Sequence, residues 1–420
     1  MPGAHRKLLI ATYFFPPAGG AGAHRPLKLA AHLPELGVAT AVLAPEDPKW
    51  VERDDSLQAP PGVRVHRVPY LGPRTRVRGE ELRGRRGLPR ARRELSFLVP
   101  RLLVPDQHAA WVLTAGPAAV RLVRKGRFDA VLTTSPPTSV HLIGALVKRL
   151  TGARWIADLR DPIVAHPHRR LELAFVRAKE RSEQASARLV ARYADAIVAG
   201  SSGVAEQLRE LAPRGTVTTI ANGCDFEDFA GLEYRPGSRF RITHTGMMFG
   251  KRSPRAFIRA VASSDADIVA RFVGGFRQAD LEWAETAGME RFLDVRPYVS
   301  HRCALELQRD SEALLLLIPE TDGRGRGVLS AKVFEYLAAR RPILAAVPAE
   351  GEAAALVRAT GAGLVVPPDD VDALRGALLS LERRWRRGEL PDVQLGPEVR
   401  ARISRRARAR EVADVVRSVT

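Results

Sequence analysis

The 420-residue sequence predicts an α/β protein built on parallel sheets of the nucleotide-binding type. Three observations carry this. Residues 330–370 contain a helix, a buried strand, a turn, a second helix and another strand in close succession. Apolar runs of strand length then alternate with helical periods through most of the remaining chain. Finally, glycine-rich or charged segments follow several strands, at the carboxyl ends where open α/β sheets bind ligands.

The stretch 330–370 is the most informative. Val333, Phe334, Leu337 and Ala338 fall on one helical stripe, while Lys332 and Glu335 share another. Pro342 ends that helix and launches PILAAV, a continuous apolar run suited to a strand buried on both faces. GAGLVVPPDD repeats the logic with a glycine stop, a short strand and a Pro-Asp turn. Taken alone, Lys332 and Glu335 also suit an i,i+3 surface ion pair worth about 0.2–0.5 kcal/mol.

The helix bearing Glu335-Tyr336, the following RPILA, a Glu-bearing turn and GAGLVVPPDD together resemble the donor-sugar half of retaining GT-B glycosyltransferases, most closely family 4. The resemblance implies a GT-B fold, with two Rossmann-like domains whose parallel sheets face a central cleft. It places an acceptor-binding domain at 1–225, a nucleotide-sugar domain at 226–397 and a helix crossing back to the first domain at 398–420. It also implies that Glu335 binds the nucleotide ribose.

Composition narrows the class. Apolar residues form 45% of the chain, enough for two sizeable cores and too many for a disordered protein. Cys224 and Cys303 are too few and too distant for a disulfide framework or zinc ribbon, so a reducing cytosol is expected. No run approaches the roughly 18 apolar residues of a spanning helix. The start, HRKLLIATYFFPPAGG, has no small-residue cleavage site and reads as a buried strand entering a loop.

The formal net charge of +19 favours anionic partners, whether phosphate groups, nucleic acid or an acidic lipid surface. Charge is densest at 74–93 and again along 400–410. The first of these runs contains no aromatic residue and so offers no base-stacking platform; no specific nucleic-acid partner is expected. Leu95, Phe97, Leu98, Val99, Leu102, Leu103 and Val104 follow it directly. The basic and apolar insertion at 74–104 suits a segment resting on an anionic leaflet, and equally a solvated loop.

Residues 7–12 read as the first strand, and the loop after it opens into a helix. Gly19, Gly20 and Gly22 remove side chains at that helix entry, where an anion can approach, and Arg25 adds charge. The resemblance assigns Gly19 and Gly20 to the donor diphosphate, and Gly22 and Arg25 to the acceptor side. Residues 39–44 and 63–68 are expected strands. Pro105-Asp106 and Trp111 resemble a pre-helix signature of the family. FDAVLTTS is a strand, Ser135-Pro136-Pro137 is expected to open the next helix, and His141 inside it reads as packed or surface.

In ARWIADLRDPI, residues 155–157 read as strand, putting Asp158, Arg160 and Asp161 at its carboxyl end. These three are the catalytic candidates. Either aspartate can orient an acceptor hydroxyl or take its proton, and Arg160 between them would hold both ionised. The same residues also suit an Asp-Arg pair tying a loop together. The string D-L-R-D-P resembles one family 4 subgroup, with Arg160 where many relatives carry histidine and Ile163 where tryptophan is usual. Residues 169–193 form a long helix, Ser201-Ser202 cap another, and Asn222-Gly223 with the DFEDF segment resembles the hinge between GT-B halves.

In the second half, a strand ends at Thr245-Gly246, with Lys251 and Arg252 in the loop beyond. A departing nucleoside diphosphate gathers negative charge, which such cations neutralise. Met247 stands where many relatives have arginine. GRGRGVLS at 323–330 exposes backbone N–H groups before a helix. Arg326, Gly327, Val328 and Leu329, with Gly246, Lys251, Arg252, Lys332 and Glu335, complete the expected donor site. Of the family's two glutamates spaced E-x7-E, Glu335 fits the second and Gly327 occupies the first.

The resemblance thus implies transfer of a sugar, with retention, from a nucleotide-diphosphate sugar to an acceptor hydroxyl. The acceptor would be a lipid-linked saccharide or a small molecule, in a cytoplasmic protein resting on the inner membrane face. No cofactor and no metal is expected, since no DxD-like pair sits in a suitable loop. A sugar-nucleotide epimerase on the same fold is the alternative, and would need no acceptor.

Overall fold

The computed structural model describes residues 6–46, 52–71, 103–163, 174–248, 250–321 and 325–420, the side chains of 174 and 175 excepted. The arginine-rich segment 74–102 therefore lies outside the described residues, as does Arg324. The described residues divide into two compact units: those of 6–163 with 174–221 and Arg405–Thr420, and those of Asn222–Ser404. The units divide at 221/222 and 404/405, within a few residues of the 225/226 and 397/398 expected from the sequence.

The first unit holds a seven-stranded parallel sheet ordered β3-β2-β1-β4-β5-β6-β7. Its strands are β1 (Arg6–Thr12), β2 (Val38–Pro45), β3 (Arg64–Val68), β4 (Ala130–Ser135), β5 (Arg154–Leu159), β6 (Ala196–Ala199) and β7 (Thr216–Thr219). Helices α1 (Ala21–His32), α2 (Val112–Gly126), α3 (Val140–Thr151), α4 (Ala174–Tyr193) and α5 (Ser202–Arg209) connect them. The central strands carry apolar residues on both faces because helices cover both sides. Leu9 and Ala11 join one core with Trp111, Val120, Ile143 and Val190, whereas Leu8 and Ile10 join another with Leu29 and Val412.

The second unit holds a six-stranded parallel sheet, β10-β9-β8-β11-β12-β13. Its strands are β8 (Phe240–Thr245), β9 (Ile268–Val273), β10 (Leu293–Arg296), β11 (Ala313–Leu317), β12 (Ile343–Ala346) and β13 (Gly363–Val366). Helices α6 (Arg255–Ala262), α7 (Gln278–Thr286), α8 (His301–Arg309), α9 (Ala331–Ala339), α10 (Glu352–Ala359) and α11 (Val371–Arg386) alternate with them, followed by α12 (Pro397–Ile403). The last helix, α13 (Arg405–Val419), returns to the first unit and buries Ala409, Val412, Ala413 and Val416 there.

In both sheets the strand order reverses once, beside β1 and β4 in one and beside β8 and β11 in the other. Such switch points open a crevice at the strands' carboxyl ends. Where the chain crosses between units it is locally tied: Cys224 N–H donates to the Ile403 carbonyl at 3.0 Å. Among the described residues, no helix is long and apolar enough to cross a membrane.

Two local expectations change. The helix after β4 begins at Val140, so Ser135-Pro136-Pro137 forms the turn before it. Asp106 instead secures the helix entry, accepting from Ser139 N–H at 2.7 Å and Ser139 Oγ at 2.9 Å. Strand β5 extends to Leu159, which places Asp158 within the ladder, paired in register with Thr134.

Candidate functional site

In the second unit the site is built where β8 reaches the switch point. β8 ends at Thr245, and Gly246 turns the chain with φ of 119°. A side chain here would be strained, and a Cβ would meet the Lys332 Cε at 2.5 Å and its Nζ at 2.8 Å. Gly274, after β9, has φ of 121°, and a Cβ there would strike the Gly246 carbonyl at 2.8 Å. Two glycines therefore bring backbone against backbone and let the Lys332 ammonium lie across the turn.

Lys332 reaches this place because Ser330 caps α9, its side chain accepting from Lys332 N–H at 3.4 Å. Arg252, in the loop after Gly246, is buried, and its guanidinium approaches the Met247 carbonyl at 3.4 Å. Lys251 beside it is half-buried. Buried His244, one residue before Thr245, reports on this cluster. Burial first, then the Lys332 and Arg252 cations, hold its imidazole far below its usual pKa. It stays neutral, its Nδ1–H donating to the Leu315 carbonyl at 2.8 Å.

One helical turn from Lys332, Glu335 and Tyr336 project from α9. The Tyr336 hydroxyl accepts from Thr245 N–H at 3.0 Å. Gln308 of α8 donates from Nε2 to Thr245 Oγ1 at 2.9 Å and to Glu335 Oε2 at 3.4 Å. His301 Nε2 stands 3.5 Å from Glu335 Oε1. The arrangement offers cations for a diphosphate and an oriented carboxylate for hydroxyls.

The 325–330 segment adds backbone more than charge. Gly325 has φ of 111°, and a Cβ there would strike the Pro319 carbonyl at 2.4 Å. The Arg326 guanidinium turns to Glu320, with Nε to Oε1 at 3.1 Å, and is 56% exposed. The Arg326 carbonyl accepts from Glu352 N–H at 2.9 Å, which ties this segment to the start of α10. Gly327, Val328 and Leu329 continue toward the α9 cap, half-buried.

In the first unit, Asp158, Arg160 and Asp161 part company. Asp158 is 1% exposed and is gripped by Arg25: Nε to Oδ2 at 3.0 Å and Nη2 to Oδ1 at 2.9 Å. Thr134 Oγ1 donates to the same Oδ2 at 2.7 Å. The cation on Asp158 is thus Arg25 from α1, rather than Arg160. Arg160, also buried, spends its guanidinium on carbonyls: Ser135 at 2.7 Å, Gly22 at 2.7 Å and Pro136 at 3.3 Å. Burial lowers its pKa, with Asp161 and Asp158 opposing. Asp161, the next residue, is exposed.

The glycines at the α1 entry divide similarly. Gly20 has φ of 83°, and no atom of the described residues lies within 4 Å of a notional Cβ. Gly19 is pinned through its N–H to the Glu52 carbonyl at 2.7 Å. Gly22 lies against Phe14, 2.7 Å from a notional Cβ. Arg25, expected to face the acceptor, is committed to Asp158 and to the Ala221 carbonyl at 3.0 Å.

Sequence reasoning missed Thr245, His244, His301, Gln308 and Tyr336 around Glu335. The i,i+4,i+7 spacing of His301, Leu305 and Gln308 was a usable signal, since it puts two polar residues on an otherwise buried stripe.

Residues 19–223 match the family described as Glycosyl transferase 4-like domain. Comparison with curated protein sequences gives no match. Solved structures resemble the chain over nearly all its length. HepE from Anabaena, in complex with UDP and glucose, is 13% identical, with TM-score 0.64, covering 99% of this chain and 100% of its own. A glycosyltransferase from Rickettsia africae is 12% identical, with TM-score 0.61 and coverage of 99% and 98%. Sucrose-phosphate synthase from Thermosynechococcus elongatus is 15% identical, with TM-score 0.58 and coverage of 99% and 96%. The chain has the GT-B fold, two Rossmann-like domains with parallel sheets, and its first unit matches the glycosyl transferase 4-like domain.

Proposed function

We propose that the protein is a glycosyltransferase that moves a sugar from a nucleotide-diphosphate sugar to an acceptor hydroxyl with retention. The observation carrying this is the constellation at the end of β8 in the second unit. Gly246 brings backbone close, Lys332 and Arg252 concentrate positive charge, and Glu335 stands one turn from Lys332. The cations suit a diphosphate leaving group, and the carboxylate suits ribose hydroxyls. HepE, of the same fold, is described in complex with UDP and with UDP-glucose, which supports a nucleotide-sugar donor.

The first unit would supply the acceptor site. With Asp158 locked by Arg25 and Thr134, Asp161 is the better placed of the two carboxylates to meet an acceptor. The leaving diphosphate would then assist deprotonation of the acceptor, with phosphate charge carried by Lys332, Arg252, Lys251 and helix N-termini and no metal required. The acceptor class we favour is a saccharide, lipid-linked or small, met in the cytoplasm or at its membrane face. The basic composition supports the membrane-facing version.

The deciding measurement is a thermal-shift screen against UDP-, GDP-, ADP- and dTDP-sugars without added metal. A selective rise in Tm with one donor, lost in Glu335→Ala, is expected. A folded protein that shifts with none of them refutes the donor site.

A further inference from the structure

Gln308 is a costly residue for its position. It is 1% exposed, and a carboxamide so buried destabilises the fold where its polar atoms are unmatched, as Oε1 is among the described residues. Helix α8 aims it: Ser300 caps the helix, accepting from Cys303 N–H at 3.3 Å, and His301, Leu305 and Gln308 follow on one face. Its amide nitrogen carries two hydrogens, and both are used, one on Thr245 Oγ1 at 2.9 Å and one on Glu335 Oε2 at 3.4 Å. Thr245 is itself fixed, through its N–H, to the Tyr336 hydroxyl at 3.0 Å. Gln308 thus braces the Glu335 carboxylate against the end of β8.

We propose that Gln308 is a positioning residue that sets the Glu335 carboxylate for the paired hydroxyls of a ribose, making the second unit selective for ribonucleoside over deoxyribonucleoside diphosphates. This rests on the donor-site reading above. A glutamate has three side-chain torsions to restrain, and a contact to one oxygen, with His301 3.5 Å from the other, selects one orientation in advance. An ionised carboxylate has about four lone-pair sites over its two oxygens and can accept from two hydroxyl donors at once. A ribose offers two such donors on one side of the ring, and a deoxyribose offers one. Because the bond is charge-assisted, the preference for two hydroxyls over one is roughly 10–100-fold in affinity.

The test is equilibrium binding of UDP, GDP and ADP, each beside its 2′-deoxy and 3′-deoxy counterparts, to the full chain. The proteins compared are wild type, Gln308→Met, Gln308→Glu and Glu335→Gln, each checked for a cooperative melt. Met keeps the buried volume without a donor. Glu exchanges the donor to Thr245 Oγ1 for an acceptor, sets a second carboxylate beside Glu335, and carries the test if Met does not fold. Wild type should prefer one ribonucleotide by roughly 10–100-fold. Both Gln308 variants should shrink that preference to about threefold by weakening the ribonucleotide alone, the deoxy affinity staying as in wild type; this selective loss is one that a packing defect does not produce. Gln308 variants that keep the full preference overturn the positioning role and leave the donor site standing. A wild type that binds none of the nucleotides, or a Glu335→Gln that keeps the preference, overturns the donor reading and this inference with it.

Discussion

At the scale of single residues, Asp158 and Asp161 show how neighbours divide similar groups into different roles. Asp158 has both oxygens engaged by Arg25, one of them also by Thr134, and is buried with that partner. Asp161, three residues on, is exposed. Removing one member of a buried ion pair leaves the other charge uncompensated, a loss of about 3–5 kcal/mol. Arg25→Met should therefore lower the stability of the first unit by that amount in urea unfolding, whereas Asp161→Asn should change it by less than about 0.5 kcal/mol. An Arg25→Met protein as stable as wild type would show that the pair contributes no more than its own desolvation costs.

At the scale of elements, α3, β4 and β5 are joined by one polar chain inside an apolar core. Trp155 Nε1–H donates to Thr133 Oγ1 at 2.8 Å, and Thr133 Oγ1 meets His141 Nδ1 at 2.9 Å. Gly144 makes room for the Trp155 indole, since a Cβ there would lie 2.1 Å from Nε1. Burial lowers His141 to about 4, against the opposing pull of Asp158. It also lowers His108 to about 3, with the Lys179 cation adding to the effect. In the unfolded chain these imidazoles take up protons below about 6.5, while the folded unit refuses them until near the lowered values. The first unit should therefore lose stability as pH falls from about 6.5 toward 4, by about 1.4 kcal/mol per pH unit for each histidine. His141→Gln should flatten that slope in urea titrations between pH 7 and 5. An unchanged slope would remove His141 as its source.

At the scale of the whole molecule, the chain begins and ends in the same unit. Helix α13 places Ala409, Val412, Ala413, Val415 and Val416 in the core that holds Leu8, Ile10 and Val198. Arg417 also bonds the Leu36 carbonyl at 3.1 Å. The second unit is nearly continuous in sequence, 222–404, and keeps its own core. Losing these three valines and two alanines removes burial comparable to the roughly 5–15 kcal/mol by which a domain is stable. Deleting 405–420 should thus unfold the first unit while the second keeps a cooperative melt, and calorimetry should show one transition lost. Retention of both transitions would mean that α13 is dispensable to that core.

The amino-acid sequence alone specified the α/β class and the two-domain layout. Strand runs such as PILAAV and FDAVLTTS, and the cap at Ser201, act through local rules of burial and hydrogen bonding. It also placed Gly246, Lys332 and Glu335, whose spacing lies within two short segments. Tertiary structure decided the partnerships. Arg25 and Asp158 are 133 residues apart, Thr245 and Tyr336 are 91 apart, and Gln308 and Glu335 are 27 apart. Which cation meets which carboxylate depends on parallel strands meeting at a switch point, a long-range packing outcome that no local periodicity encodes. That is why Arg160, within two residues of both aspartates in sequence, instead holds the carbonyls of Gly22, Ser135 and Pro136.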